Sequence, residues 1–122
     1  MNILVVGGSG FVSGTLSRLA LAAGHAVWIV TRGRRATPAG VTALQADRAD
    51  KGAFREAIRG AGVRWDLAVD SICYRAEEMR QDLEVLPDVA SRFVFVSTDF
   101  VYDPARRLFP QPEETEHYLA DG

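Results

Sequence analysis

The sequence predicts an α/β fold in which helices cover both faces of a doubly wound parallel sheet. Short apolar runs alternate with segments of helical periodicity along the 122 residues, a rhythm typical of repeated βαβ units. The first apolar run also leads directly into a glycine cluster that opens a helix. Right-handed crossovers then favour five strands in the order 3-2-1-4-5, with a ligand at the carboxyl ends where the order reverses.

The first strand is predicted over residues 3–6, four consecutive apolar residues that suit burial on both faces of a sheet. The glycines that follow permit positive φ and carry no Cβ to hold a ligand away from the backbone amides. A helix beginning near Phe11 points its free N–H groups at the same place, which favours a pyrophosphate. The alternative is a glycine turn that serves packing alone. The candidate contacts are Gly7, Gly8, Ser9, Gly10, Phe11 and Val12.

The next elements complete one βαβ unit and favour the dinucleotide interpretation. The helix has apolar residues at helical spacing and ends at Gly24, and a second strand is predicted over residues 27–30. The apolar positions are Leu16, Leu19, Ala20 and Ala23.

The residues after the second strand indicate which cofactor is bound. They read Thr31-Arg32-Gly33-Arg34-Arg35, without the carboxylate that selects NAD by binding the adenosine ribose. Guanidinium groups accept a 2′-phosphate instead, so Thr31, Arg32 and Arg34 are candidate contacts to NADP. A solvated loop is the alternative.

The remaining strands are predicted over residues 41–45, 67–69 and 92–96, separated by helices over 52–59 and 75–86. The first of these helices presents Phe54, Ala57 and Ile58 on one side. The second ends at Pro87. Its stripe of Met79, Leu83 and Leu86 is expected in the core, and its expected solvent face consists of Glu77, Glu78, Arg80 and Gln81.

Polar residues at two further strand ends are also candidates for the cofactor site. Asp47 and Arg48 follow the third strand and are expected beside the adenine, although Asp47 would equally suit the cap of the next helix. Asp70 and Ser71 follow the fourth strand, where contact with the cofactor and capping of the next helix are both open.

Composition limits the classes of function. A net charge of −2 and 48% hydrophobic residues describe one globular domain without the basic excess of a nucleic-acid-binding protein. No apolar stretch approaches the roughly 20 residues that cross a bilayer, and no signal peptide is recognisable. We therefore expect a cytoplasmic protein without membrane contact. Cys73 is the only cysteine, which argues against a disulfide or a cysteine-built metal centre, and no metal is predicted.

The end of the fifth strand carries a second motif, Ser97-Thr98-Asp99-Phe100-Val101-Tyr102. Together with the glycine loop and the Gly24-His25 helix exit, it resembles the NAD(P)-dependent epimerase/dehydratase family, the extended short-chain dehydrogenase/reductases. The resemblance spans residues 1–103 and implies a Rossmann-like dinucleotide-binding domain there. The Arg32-Gly33-Arg34 and Asp47-Arg48 segments resemble the atypical branch of that family.

The resemblance implies roles for two residues. Thr98 would bind the substrate oxygen that undergoes redox chemistry, and Asp99 would protonate a leaving hydroxyl. Phe100 replaces the glutamate of the dehydratases, which argues against that reaction. Ser13 replaces the third glycine of the loop and is small enough to keep cofactor binding.

The catalytic Tyr-x-x-x-Lys of the family does not occur in this sequence, because Tyr118 is followed four residues later by Gly122. We therefore expect the amino-terminal part of a longer enzyme, inactive alone, with residues 104–122 as an irregular tail at the start of the missing substrate part. The apolar edge over residues 93–96 would then favour a further segment or homodimerisation.

Three functions remain open at this point. The first is an NADP-binding oxidoreductase, an epimerase/dehydratase or reductase, acting on a hydroxyl or keto group, with a sugar nucleotide as one candidate substrate. The second is a dinucleotide-binding sensor or regulator without catalysis, which the missing Tyr-x-x-x-Lys favours. The third is RNA binding, as in some proteins of the atypical branch, for which the charge gives little support.

Overall fold

The computed structural model describes residues 1–97, 102–106, 108–110 and 112. Within them, strands and helices alternate as the sequence predicts. The elements are β1 (Asn2–Val6), α1 (Phe11–Ala22), β2 (Ala26–Thr31), β3 (Thr42–Gln45), α2 (Lys51–Gly60), β4 (Leu67–Asp70), α3 (Ala76–Val85) and β5 (Phe93–Phe95). A short 3₁₀ turn, Leu86–Asp88, separates α3 from β5 and contains the predicted stop at Pro87.

The five strands form one parallel sheet in the order β3-β2-β1-β4-β5, which confirms the predicted fold class and topology. In this register Val6 of β1 lies between Val30 of β2 and Asp70 of β4. The carboxyl ends of the three central strands therefore meet at one edge of the sheet, where the connections to their helices begin.

The first strand is buried on both of its faces, as its continuous apolar run predicts. Leu4 and Val6 belong to the core beneath α2 and α3, whereas Ile3 and Val5 belong to the core beneath α1. Both cores are closed by helices, so the sheet is covered on its two sides.

The buried face of α1 agrees only in part with the predicted apolar positions, since Ala20 is buried and Leu16 packs against the core. Leu19 is 64% exposed, and Ala23 is also exposed beyond the helix end. Small residues face the sheet instead, and Ser17 donates a hydrogen bond to the Ser13 carbonyl at 2.8 Å. These residues are Ser13, Gly14, Ser17 and Ala20. Small side chains allow the helix to approach the strands closely, so the serine at position 13 does replace a glycine without separating the two elements.

The predicted orientation of α3 is wrong in one respect that matters for the site. Leu83 is 57% exposed, whereas Gln81, which was expected on the solvent face, is buried together with Asp82. Leu86 does lie in the core, but in the 3₁₀ turn. Relative to the predicted orientation, α3 is rotated so that Asp82 faces the interior. There Asp82 accepts a hydrogen bond from Arg48, which lies 34 residues away in the chain.

The strand β5 lies at one edge of the described sheet, and its side chains Val94 and Phe95 are exposed. Homodimerisation through this edge stays a prediction. Among the described helices, none has the length and apolar character to cross a bilayer.

Candidate functional site

A cavity of about 550 Å³ opens at the carboxyl ends of β1 to β4. Its wall contains eight residues that the sequence analysis predicts for the cofactor site: Gly7, Ser9, Gly10, Thr31, Arg32, Arg34, Asp47 and Arg48. The structure adds others that the sequence analysis did not propose: Ser13, Arg35, Ile72, Tyr74, Arg75 and Glu78. Most of these follow β4, so the position of that strand next to β1 is the signal that would have found them.

The glycine loop is shaped by close packing against the sheet. Gly7 and Gly8 have φ of +106° and +41°, a region that side chains with a Cβ rarely adopt. A Cβ on Gly7 would lie 3.1 Å from Ile72 Cγ2, and a Cβ on Gly8 would lie 2.0 Å from Ile29 Cγ2. Gly8 therefore has the packing role that a purely structural glycine turn would have. Gly7 lines the cavity, so the same loop packs against the sheet and borders the candidate ligand site.

The loop ends at the first turn of α1. Gly10 is the N-cap, and its N–H donates to Ser13 Oγ at 3.2 Å. The first turn of α1, which lies wholly in the described part of the chain, has no acidic side chain that would compete with a bound anion. Phe11 and Val12 are exposed and stand outside the cavity wall. The arrangement is that of an anion site at a helix N-terminus.

The arginine loop, residues 32–35, forms the cavity wall beyond β2. The chain turns at Gly33, where φ is +79° and the N–H donates to Thr31 Oγ1 at 3.2 Å. Arg32, Arg34 and Arg35 all reach the cavity. This places several cations beside the helix N-terminus, in the arrangement predicted for a phosphate.

Two carboxylates also border the cavity, and backbone amides already engage both. Asp47 Oδ1 accepts from the Ala49 N–H at 2.9 Å. Glu78 Oε2 accepts from the N–H groups of Tyr74 and Arg75 at 2.7 and 3.1 Å. Asp47 does not cap α2, because Asp50 is the N-cap of that helix. That alternative for Asp47 is wrong, while its position beside the cavity agrees with the prediction.

Arg48 lines the cavity with little of its side chain, which is only 9% exposed. Its Nη1 lies 2.6 Å from Asp70 Oδ2, and its Nη2 lies 2.9 Å from Asp82 Oδ1. The guanidinium carbon also lies 5.6 Å from the centre of the Phe54 ring. The charged group therefore points into the protein, and we call Arg48, Asp70 and Asp82 the buried ionic cluster.

Asp70 and Ser71 differ from their predicted roles. Asp70 has no exposed surface, and its carboxylate holds Arg48 and the Ile72 N–H, which is at odds with a direct contact to the cofactor. Ser71 Oγ donates to the Val6 carbonyl at 3.4 Å and lies outside the cavity wall. Neither residue caps α3, because Arg75 is its N-cap. Burial of Asp70 follows from the Arg48 partner, which the sequence pattern does not reveal.

Burial raises the pKa of Asp82 to about 8, with further contributions from the hydrogen bond and charge of Asp70, while Arg48 opposes the shift. This shift favours the protonated form of Asp82 at neutral pH, in which one carboxylate rather than two balances the Arg48 charge. Asp82 Oδ2 is buried and accepts no hydrogen bond from the described residues. A proton on this carboxyl provides a donor to the neighbouring Asp70 carboxylate, whose hydrogen bond with Asp82 raises the pKa.

This pKa predicts how stability depends on pH. The folded pKa of Asp82 exceeds the ordinary value of 3.8, so the folded state keeps a proton that the unfolded chain releases. Stability should fall as the pH rises from about 4 to 8 and level off above that range. In Asp82→Asn this dependence should shrink, and the gain over the wild type should be larger at pH 8 than at pH 5 by at least about 1.4 kcal/mol.

Urea denaturation across this range measures the effect, with Asp88→Asn as a control because Asp88 forms an exposed ion pair with Arg59. Equal pH slopes in Asp82→Asn and the wild type would show that Asp82 is ionised throughout.

Asp70, Cys73 and Asp82 place possible metal-ligand atoms within 4.8 Å of one another, a grouping that the sequence analysis did not foresee. Arg48 already occupies both carboxylates, so a cation would have to displace it. Burial and the nearby Asp70 also raise the pKa of the Cys73 thiol, which disfavours the thiolate form that metals bind. The absence of a metal stays a prediction.

The predicted catalytic residues Thr98 and Asp99 lie outside the described residues. Their roles stay predictions.

Comparison with solved structures shows the same fold in several enzymes. A UDP-galactose 4-epimerase matches with a TM-score of 0.76 and 24% identity over 98% of this chain and 45% of that protein. A short-chain dehydrogenase/reductase superfamily protein from Agrobacterium tumefaciens with bound NAD matches with a TM-score of 0.72 and 22% identity, covering 100% and 40%. UDP-glucose 4-epimerase from Bifidobacterium longum, in complex with NAD⁺ and UDP, matches with a TM-score of 0.72 and 18% identity, covering 100% and 43%.

The chain thus spans less than half the length of these three proteins. A comparison with curated protein sequences gave no match. The sequence pattern of the NAD dependent epimerase/dehydratase family matches residues 3–120, almost the whole chain, and agrees with the glycine loop, the strand order and the cavity described above. The chain belongs to the NAD dependent epimerase/dehydratase family.

Proposed function

We propose that the cavity binds NADP and that the chain forms the dinucleotide-binding part of an oxidoreductase-type enzyme acting on a hydroxyl or keto group. The observation that carries the proposal is the glycine loop, whose Gly7 faces the cavity at the N-terminus of α1 while the arginine loop closes the wall beside it. Family membership supports the class of enzyme. A sugar nucleotide is the favoured substrate, since a neighbour of the same fold was crystallised with NAD⁺ and UDP.

The residues fit a dinucleotide in two respects. Gly7 and Gly10 line the cavity without a Cβ that would hold a ligand away, and the first turn of α1 offers its N–H groups to a pyrophosphate. Tyr74 is largely exposed at the cavity wall and offers an aromatic face to the adenine. When bound, the nicotinamide supplies hydride transfer, and in this proposal Thr98 orients the reacting oxygen while Asp99 acts as an acid.

The preference for NADP rests on the arginine loop. Arg32, Arg34 and Arg35 border the cavity, and the two acidic side chains in its described wall, Asp47 and Glu78, both accept hydrogen bonds from backbone amides. A 2′-phosphate would meet guanidinium groups there, and a charge-assisted hydrogen bond contributes about 1.5–3 kcal/mol.

The double variant Arg32→Ala/Arg34→Ala is therefore expected to weaken NADPH binding by about 10- to 100-fold and to change NADH binding much less. Fluorescence titration with both nucleotides measures the two dissociation constants. Arg64→Ala/Arg92→Ala is the matched control, because it removes the same charge from exposed positions that precede β4 and β5.

The outcomes separate the parts of the proposal. Tighter binding of NADH than of NADPH by the wild type would reject the preference for NADP. Failure of both nucleotides to bind would reject the dinucleotide function itself.

A further inference from the structure

We infer that Arg48 is a positioning residue for the cofactor. The connection between β4 and α3, residues 71–75, forms one wall of the cavity, and Arg48 holds this connection in place from the protein interior. The inference rests on the proposed dinucleotide function and deepens it. It assigns the buried ionic cluster a task in ligand binding, although the guanidinium itself points away from the cavity.

The first step is the number of elements that one side chain joins. Besides Asp70 and Asp82, Arg48 donates to the carbonyls of Ile72 and Glu78, each at 3.2 Å. These four acceptors belong to the end of β4, the following connection and two turns of α3. A guanidinium offers five N–H donors in a rigid planar fork, whereas the ammonium group of lysine has three donors at one point. Only arginine can hold all four acceptors at once.

The second step leads from these acceptors to the cavity wall. Asp70 Oδ1 accepts from the Ile72 N–H at 2.8 Å, and the Ile72 side chain lies against Gly7 of the glycine loop. The Glu78 carboxylate accepts from the N–H groups of Tyr74 and Arg75. Ile72 is therefore bonded to Arg48 directly, and Tyr74 and Arg75 are each one hydrogen bond from Glu78, a residue whose backbone carbonyl Arg48 holds.

The third step concerns what such a cluster contributes. Apolar residues of similar volume often stabilise a core as well as a buried ion pair does, because the charges lose their hydration. A buried hydrogen-bond network, in contrast, selects one arrangement of the segments that it joins. In this cluster Nη1 and Nη2 of Arg48 make four hydrogen bonds, while Nε has no partner among the described residues. Here the segments joined are those that give the cavity its shape.

The surroundings of Asp82 make the cluster sensitive to pH. Asp82 faces Arg48 from the β3–α2 connection, Asp70 from β4 and Cys73 from the β4–α3 connection, with Glu78 on its own helix. Loss of the Asp82 proton, whose pKa burial raises to about 8, adds a second negative charge beneath a cavity that would receive an anion. Binding of the dinucleotide should therefore weaken as the pH rises through this value.

The test compares Arg48→Lys with Arg59→Lys, in which an exposed arginine paired with Asp88 receives the same change. At pH 7, Arg48→Lys is expected to bind NADPH about tenfold more weakly than the wild type, with Arg59→Lys within about twofold. Hydrogen exchange without ligand should be about tenfold faster at the amides of Ile72, Tyr74 and Arg75 in Arg48→Lys alone. Circular dichroism confirms that each variant is folded.

A second variant supplies a readout that a purely structural role would not move. Between pH 6.5 and 8.5 the wild type should lose NADPH affinity by about threefold or more, and Asp82→Asn, which keeps the side-chain shape, should show a flat profile. This variant also decides the question if Arg48→Lys does not fold.

Unchanged affinity and unchanged exchange in Arg48→Lys would overturn the inference. Lost affinity with unchanged exchange would also overturn it, because Arg48 would then act by direct contact. The same pH profile in Asp82→Asn and the wild type would overturn the role of the cluster. If neither NADPH nor NADH binds the wild type, the proposed function fails, and exchange in the ligand-free protein still decides whether Arg48 fixes the connection.

Discussion

Replacing Gly8 with alanine should destabilise the chain by about 3–5 kcal/mol and abolish dinucleotide binding in whatever fraction remains folded. The added Cβ would lie 2.0 Å from Ile29 Cγ2 and 2.2 Å from Ile29 Cβ. Ile29 is fully buried in the middle of β2 and is paired with β1 and β3, so it has no room to move. The φ of +41° adds a backbone cost for any residue with a Cβ.

Gly60→Ala is the matched control for this substitution. Gly60 is the last residue of α2, and an added Cβ there meets nothing within 4 Å. We expect a change of about 1 kcal/mol or less, in the stabilising direction, because alanine favours the helix. Urea unfolding measures both variants. A Gly8→Ala protein as stable as the wild type would mean that the glycine loop is not pressed against β2.

Replacing Arg48 with methionine should cost about 3–5 kcal/mol at pH 8, because Asp70 and Asp82 would stay buried without a cation. Both carboxylates have side chains with no exposed surface. The loss should be larger at pH 9.5. Without Arg48 the folded pKa of Asp82 should rise further above 8, so the variant keeps losing stability with rising pH in a range where the wild type has already released this proton.

Thermal and urea unfolding at the two pH values test this expectation. Arg59→Met is the control, since the Arg59–Asp88 pair is exposed and should contribute less than about 1 kcal/mol. The double variant Arg48→Met/Asp82→Leu should recover part of the loss, because it removes one of the two stranded carboxylates. Equal effects of Arg48→Met and Arg59→Met would mean that water reaches the buried ionic cluster.

The sheet was predictable because its signals are local. The run before Gly7 is apolar at every position, which suits a strand covered on both sides, and the spacing to the next apolar run is that of one βαβ unit. The strand order is then the usual one of a doubly wound dinucleotide-binding fold, in which right-handed crossovers place helices on both faces. Boundaries moved by a residue or two, as at Thr31 and Asp70, where polar residues continue the ladder.

The buried faces of two helices were not predictable in the same way. Periodicity assigns apolar residues to the core, yet α1 buries serines and a glycine because a close approach to the sheet needs small side chains. In α3 the buried carboxyl group of Asp82 accepts a hydrogen bond from Arg48, which lies far away in the sequence. A pairing across such a distance leaves no trace in the local pattern.

In the candidate site, the glycine loop and the arginine loop were predictable, because glycines and arginines directly follow the ends of the first and second strands. The wall formed by Ile72, Tyr74 and Glu78 was not. The predicted strand order places β4 beside β1, but these three residues show no motif that marks them as cavity residues. Arg35 differs from Arg34 by one position, and only the turn at Gly33 brings both to the cavity.

The small residues on the inner side of α1 have a consequence for engineering. Ser13 and Ser17 lie one turn apart on the buried side of α1, whose N-terminus faces the proposed phosphates. Bulkier side chains at these two positions would push α1 away from the sheet and move its N-terminus away from the ligand. Attempts to tighten cofactor binding should therefore keep Ser13 and Ser17 and vary the arginines of the arginine loop.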